Sequence, residues 1–265
     1  MAAFALFAAS CGQKEAQKIL VLYYSQNGTT KAVAEEIAAR LGADMEEIVP
    51  GVPYDGNFQE TIERCMKEKE LEVIPAVKPL NSDIPAYDVI FLGYPVWFGT
   101  FAPPVDGLLS AVDFSGKKIV PFCTFGSGGL SSSILDLKAK EPDAEILPVY
   151  GVRAARIDAA PAELDRFLKE NGFLEGEYVK LDEFSPSRPV TEEESAIFDA
   201  AVGDYPMIHA KAEEVASRNV PGGIEYLFAA RDIPREGAPA APDGVIKVYV
   251  LDLDGEAPVF TQVLR

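Results

Sequence analysis

The sequence predicts an α/β protein: a three-layer sandwich on a parallel sheet of strand order 2-1-3-4-5, followed by a small α+β domain. Three observations predict it. Continuous apolar runs, Lys18-Ile-Leu-Val-Leu-Tyr-Tyr24 and Asp88-Val-Ile-Phe-Leu-Gly-Tyr94, suit strands covered on both faces. Stretches with apolar residues at helical spacing lie between such runs. Beyond Gly172 this alternation stops, and a helix start is followed by β-rich runs at hairpin spacing.

The first strand is Lys18 to Tyr24. Thr29 or Thr30 is placed to cap a helix that carries Val33, Ile37 and Leu41 on one face and stops at Gly42. A second strand is expected near Met45 to Val49. Gly51 to Pro85 holds a Pro/Gly/Tyr turn, a charged helix around Gln59 to Glu70 and a Pro-punctuated stretch. Asp88 to Tyr94 is the third strand. Then come a strand at Lys117 to Thr124, a helix at Ser131 to Lys140, a strand at Ile146 to Val152 and a helix at Pro161 to Asn171. Right-handed crossovers between parallel strands put those helices on both faces. Pro186 and Pro189 mark a linker, after which Thr191 and Glu194 are spaced as a capping box. Gly223 to Ala229, Val245 to Leu253 and Pro258 to Leu264 read as strands. The chain therefore divides into an N-terminal segment 1–17, a doubly wound domain 18–177 and an α+β domain 178–265.

Among 265 residues, 42 are acidic and 24 basic, for a net charge of -18. That argues against nucleic acid as a partner, because neutralising phosphates requires clustered Lys and Arg. The only histidine, His209, lies outside any motif, which excludes serine-protease-like relays and His-based metal sites. Cys65, on a predicted helix, and Cys123, in an apolar strand, read as buried inert thiols. Cys11 differs: it follows the apolar run Ala2 to Ala9 and Ser10, and the polar stretch Gly12 to Lys18 follows it. This resembles a bacterial lipoprotein signal, in which the cysteine is acylated and becomes the new N-terminus. The apolar run falls short of the roughly 20 residues of a spanning helix. It also lacks a preceding Lys or Arg. The resemblance implies an exported protein, lipid-anchored to the cell envelope on the periplasmic side or at the cell surface, with the membrane met through the acyl chains only.

Three turns carry the chemistry. Ser25-Gln-Asn-Gly-Thr-Thr30 lies between the first strand and the first helix, where free backbone N–H groups and the helix dipole favour a phosphate. It has neither the Lys of a triphosphatase loop nor the spaced glycines of a dinucleotide fold, which favours a monophosphate. Tyr94-Pro-Val-Trp-Phe-Gly-Thr100 follows the third strand and holds the chain's only tryptophan, placed to stack on a planar ligand. Thr124-Phe-Gly-Ser-Gly-Gly129 ends the next strand, and its glycines let main-chain N–H groups approach a ring closely. In a sheet of order 2-1-3-4-5 ligands bind beyond the carboxyl ends of the strands, at the switch between the first and third.

Together these turns resemble the phosphate loop and the two isoalloxazine loops of the flavodoxin family, over roughly Lys18 to Phe173. The resemblance implies FMN as cofactor. Ser25, Gln26, Asn27, Gly28, Thr29 and Thr30 would hold its phosphate. Pro95, Val96, Trp97, Phe98 and Gly99 would flank the flavin, with Trp97 stacked on it. Thr124, Phe125, Gly126, Gly128 and Gly129 would meet its pyrimidine edge. Where the family carries Thr at the third phosphate-loop position, this chain has Asn27. Gly99 would let the Phe98-Gly99 peptide turn over and present its carbonyl to the ring. An apolar pocket in an acidic protein disfavours added negative charge on the ring, so a low reduction potential is expected.

The implied function is electron transfer to a redox partner protein or a small quinone-like acceptor. An FMN-dependent NAD(P)H:quinone oxidoreductase on the same fold, and a partner-binding protein with no flavin, stay open. The C-terminal domain resembles a cystatin-like layout, a helix gripped by an antiparallel sheet. Arg218 to Gly222 lacks the Gln of the inhibitory loop and no Trp follows Trp97, so docking is expected there rather than protease inhibition.

Overall fold

β1 (Ile19–Tyr23) runs through the centre of a parallel sheet, and its alternating side chains feed two different cores. Leu20 and Leu22 enter one layer while Val21 and Tyr23 enter the other. The computed structural model describes residues 17–203, 205–233, 241 and 244–265; Cys11 and the signal expected around it lie outside the described residues.

α1 (Thr29–Leu41) buries Val33, Ala34 and Ile37 on the sheet and ends at Gly42, whose φ of 59° only glycine adopts readily. β2 (Asp44–Glu47) pairs in parallel with β1. α2 (Phe58–Glu70) opens on a capping box between Asn57 and Glu60. β3 (Val89–Trp97) pairs with the other side of β1, and β4 (Thr100–Phe101) folds back antiparallel on its end. Next come α3 (Pro103–Ala111), β5 (Lys118–Phe125) beside β3, and α4 (Leu130–Lys140). β6 (Glu145–Ile146) and β7 (Tyr150–Arg153) both pair with β5 before α5 (Ala160–Glu170) closes the domain. The order β2-β1-β3-β5 followed by β6 and β7 is the expected 2-1-3-4-5 once the principal strands are counted. Cys65 of α2, Val105 of α3 and Leu137 of α4 fill one layer, and Ile37 of α1 with Leu164 and Leu168 of α5 fill the other.

Three differences from the sequence reading have physical causes. α3 lies in a stretch for which the sequence reading gives no element, since Pro103, Pro104 and Gly107 disfavour a helix; Gly107 is required because a side chain there would collide with the carbonyl of Pro75. The expected strand Ile146 to Val152 is split in two around Pro148. β6 pairs with Lys118 and Ile119 and β7 with Phe122 to Phe125, so Pro121, which has no N–H to give, falls in the gap. β3 also runs on to Trp97, so the expected loop after Tyr94 is largely a β-hairpin.

The C-terminal part is an antiparallel sheet of order β12-β11-β10-β9-β8. Its elements are β8 (Arg188–Pro189), α6 (Glu192–Val202), β9 (Ala210–Val220), β10 (Gly223–Asp232), β11 (Val245–Leu253) and β12 (Val259–Leu264). The capping box expected from Thr191 and Glu194 is formed. α6 packs Phe198 edge-on to Phe228, with ring centroids 5.2 Å apart, in a core that includes Val248, Val250 and Phe260.

Candidate functional site

The carboxyl ends of β1, β3 and β5 bring the three turns together. The hydroxyls of Thr30 and Thr124 meet at 2.8 Å, joining the first turn to the third. Gly129, at φ 93°, lies so close to Val96 and Gly99 that a side chain there would strike Val96 and crowd Gly99, so the third turn abuts the second. The Ser132 hydroxyl of α4 donates to the carbonyl of Gly99 and fixes the same junction.

The first turn is organised by its own side chains. Gly28, at φ 89°, occupies the position before α1, and no side chain caps the helix; the cap expected from Thr29 or Thr30 is not made, because both hydroxyls are engaged elsewhere. The Gly28 N–H donates to Ser25 Oγ at 3.1 Å, and Asn27 Oδ1 accepts from the Thr29 N–H at 3.3 Å and the Thr29 hydroxyl at 2.7 Å. Gln26 reaches the other way, its Nε2 donating to the Tyr54 carbonyl at 3.1 Å and Thr61 Oγ1 at 3.0 Å. Gln26 and Thr30 thus brace the turn through their side chains; Asn27 and Gly28 are exposed, and Ser25 and Thr29 are half-buried. The first-turn amides of α1 have no partner within the helix.

In the second turn, Val96 pairs with Phe101 and Trp97 with Thr100, leaving Phe98 and Gly99 at φ 52° and 82°. Positive φ at both positions of a two-residue loop is a type I′ turn. Trp97 is half-buried and stands edge-on to Tyr24 and Tyr54, with centroids 5.8 and 5.6 Å away. The Arg64 guanidinium lies 3.6 Å from the Tyr54 ring centre, and the Tyr54 hydroxyl donates to Glu68 at 2.6 Å. Burial holds both phenols above their ordinary range and pushes the nearby Cys65 thiol up to about 11. Tyr54, which follows no firm sequence pattern, is thereby a structural support of this wall.

The third turn leaves β5 at Phe125, after the buried Thr124. Its Gly126 carbonyl accepts from Arg153 Nε at 2.8 Å, and Arg153 Nη1 donates to the Phe260 carbonyl in β12 at 2.8 Å. Arg153 is 6% exposed, and burial lowers its guanidinium below the ordinary arginine value. In the sequence, a charged residue closing the apolar strand Tyr150-Gly-Val-Arg153 is the one sign of this role.

A helix N-terminus and an aromatic group stand together at the switch between β1 and β3, the place where doubly wound sheets bind their ligands. The flavodoxin family model matches residues 18–155, about half the chain, and the chain belongs to the flavodoxin family. A crystal structure described as a flavoprotein from Bacteroides eggerthii DSM 20697 is 29% identical, with a TM-score of 0.50, covering 59% of this chain and 98% of its own. One from Bacteroides uniformis ATCC 8492 is 24% identical, with a TM-score of 0.51, covering 57% and 99%. A flavoprotein from Lactobacillus acidophilus NCFM, in complex with FMN, is 24% identical, with a TM-score of 0.49, covering 57% and 97%. Comparison with curated proteins gives no match.

Proposed function

We propose that this chain holds FMN in the crevice between β1, β3 and β5 and passes electrons to a protein partner or a small quinone-like acceptor. In the same reading it is exported and held at the cell envelope by acyl chains on Cys11. FMN follows from membership in the flavodoxin family. The observation that carries the reading is the convergence of three turns far apart in sequence, through Thr30 with Thr124 and Gly129 with Val96 and Gly99.

The residues fit the group. Gly28 faces open space, so the backbone there accepts a close oxygen, and the amides opening α1 supply donors without a lysine. Ser25 and Thr29 add hydroxyls to that cradle. The Trp97 indole, braced by Tyr24 and Tyr54, forms a flat wall beside it. Bound FMN would supply one- and two-electron chemistry. The protein's part is to orient the ring, keep water from its face and leave an edge open. Phe98 at the tip of the second turn is 60% exposed, which suits exchange at contact with a partner. Among the described residues no helix is long and apolar enough to cross a membrane. In this reading the acyl chains on Cys11 are the attachment.

The test begins with colour. Protein purified from its envelope fraction is expected to absorb in the visible, and FMN added to the stripped protein is expected to quench Trp97, whose emission no other tryptophan obscures. Colourless protein with no quenching would overturn the FMN assignment. A carrier is reduced by partner proteins but only slowly by NADH or NADPH; rapid bleaching by either nucleotide would establish the quinone-reductase alternative. Cys11→Ser is expected to move the protein to the soluble fraction, and unchanged fractionation removes the anchor.

A further inference from the structure

The outer side of the third turn is covered by the C-terminal domain. Val263 of β12 donates its N–H to the Ser127 carbonyl at 2.7 Å, and Gly128 forms a parallel β-bridge with Val263. A side chain at Gly128 would strike the Val263 carbonyl. Arg153 spans the same seam, with Nε on the Gly126 carbonyl, Nη1 on the Phe260 carbonyl and its guanidinium 3.5 Å from the centre of the Phe260 ring. Among the described residues no carboxylate pairs with it. Two main-chain carbonyls, the Phe260 face and the side chain of Tyr205 compensate its charge instead.

A buried cation is costly unless its hydrogen bonds are complete. If the third turn moves, Arg153 loses the Gly126 carbonyl. If β12 lifts away, it loses the Phe260 carbonyl. Each movement makes the other cheaper, so the turn and the domain hold or release together. The inner side of the same turn abuts Val96 and Gly99 of the second turn, at the mouth of the crevice.

We infer that the C-terminal domain backs one wall of the flavin site, the third turn, and that Arg153 is the positioning residue coupling ring binding to domain docking. This rests on the FMN reading above. Reciprocity then requires that a bound ring tighten the seam by the same factor by which the seam tightens the ring.

The experiment uses the full-length chain. The Val263 amide points to Ser127 and not into the β11 ladder, so Val263→Pro removes the seam bond while leaving that ladder its donors. Arg153→Lys keeps the charge but loses the two-pronged grip. Each is expected to weaken FMN and riboflavin by the same factor, tenfold or more, because the loss is at the ring. Thr29→Ala, at the phosphate turn, is expected to weaken FMN alone. In the unaltered chain, saturating FMN is expected to slow hydrogen exchange of the Val263 amide at least tenfold, a readout that stands even if a variant fails to fold. Unchanged affinities in both variants, a loss confined to FMN, or Val263 exchange indifferent to FMN overturns the inference and leaves the FMN reading intact. A parent chain that binds neither flavin overturns both.

Discussion

Thr30 and Thr124 share a hydrogen bond of 2.8 Å across 94 residues of sequence, with side chains 0% and 2% exposed. The bond ties the first turn of α1 to the end of β5, and with it two of the three turns that define the crevice.

Breaking it from one side should be worse than removing it. Thr30→Val leaves the Thr124 hydroxyl buried without its partner, at an expected cost of about 1 to 3 kcal/mol. Thr30→Val with Thr124→Val should recover most of that loss. Urea unfolding of the two variants checks it; a double variant less stable than the single would show that the pair is not the unit.

Phe98 sits at φ 52° in the type I′ turn, where a residue with a side chain costs roughly 1 kcal/mol or more. Phe98→Asn installs the Asn-Gly pair that such turns favour and should raise stability by about 1 kcal/mol. If exposed Phe98 meets redox partners, the same variant should slow electron transfer in stopped-flow mixing. A fall in stability would show that the aromatic ring's packing outweighs the backbone.

Glu194 is held well below the usual carboxylate range, at about 2, first by its hydrogen bonds from Arg188 and then by those from Thr191. A folded-state value below the unfolded one means that its contribution is complete above the unfolded value, near 4.5, and is lost as pH falls toward about 2. Acid unfolding of the C-terminal domain should therefore become shallower over that window in Glu194→Gln. Circular dichroism against pH measures it, and a slope identical to that of the parent would refute the linkage.

Cys65 and Cys123 are buried and unpaired, 5% and 0% exposed, and burial raises both thiols above their ordinary value. In a Cys11→Ser background a thiol reagent should find nothing in the native protein at neutral pH and two groups after denaturation. Fast native labelling of Cys65 would reveal opening of α2.

Much of the first domain was legible because its strands are buried on both faces and so read as unbroken apolar runs, Ile19 to Tyr23 above all. Helix ends with local chemistry were legible too: Gly42 closes α1, and Thr191 with Glu194 opens α6. Asn57 with Glu60 carries the same signal before α2. What stayed hidden depends on distant neighbours. Gly107 is inside α3 because Pro75 passes there, and in β9 the adjacent Glu213 and Glu214 interrupt the apolar alternation, so its run is broken. The three turns were found from their position after strands, but the side-chain roles of Gln26 and Thr30 were not, since Tyr54, Thr61 and Thr124 lie 28, 35 and 94 residues away from them. The role of Arg153 is hidden for the same reason, its partners being carbonyls on other segments, and only its charge at the end of an apolar strand points to it.

β12 is the last strand of its sheet, and an open strand margin is a template on which further chains can stack. Here Ser127 covers part of that margin by accepting the Val263 N–H. A C-terminal fragment cut free by proteolysis would expose it, so such fragments should self-associate into β-rich polymers while the intact chain stays dispersed.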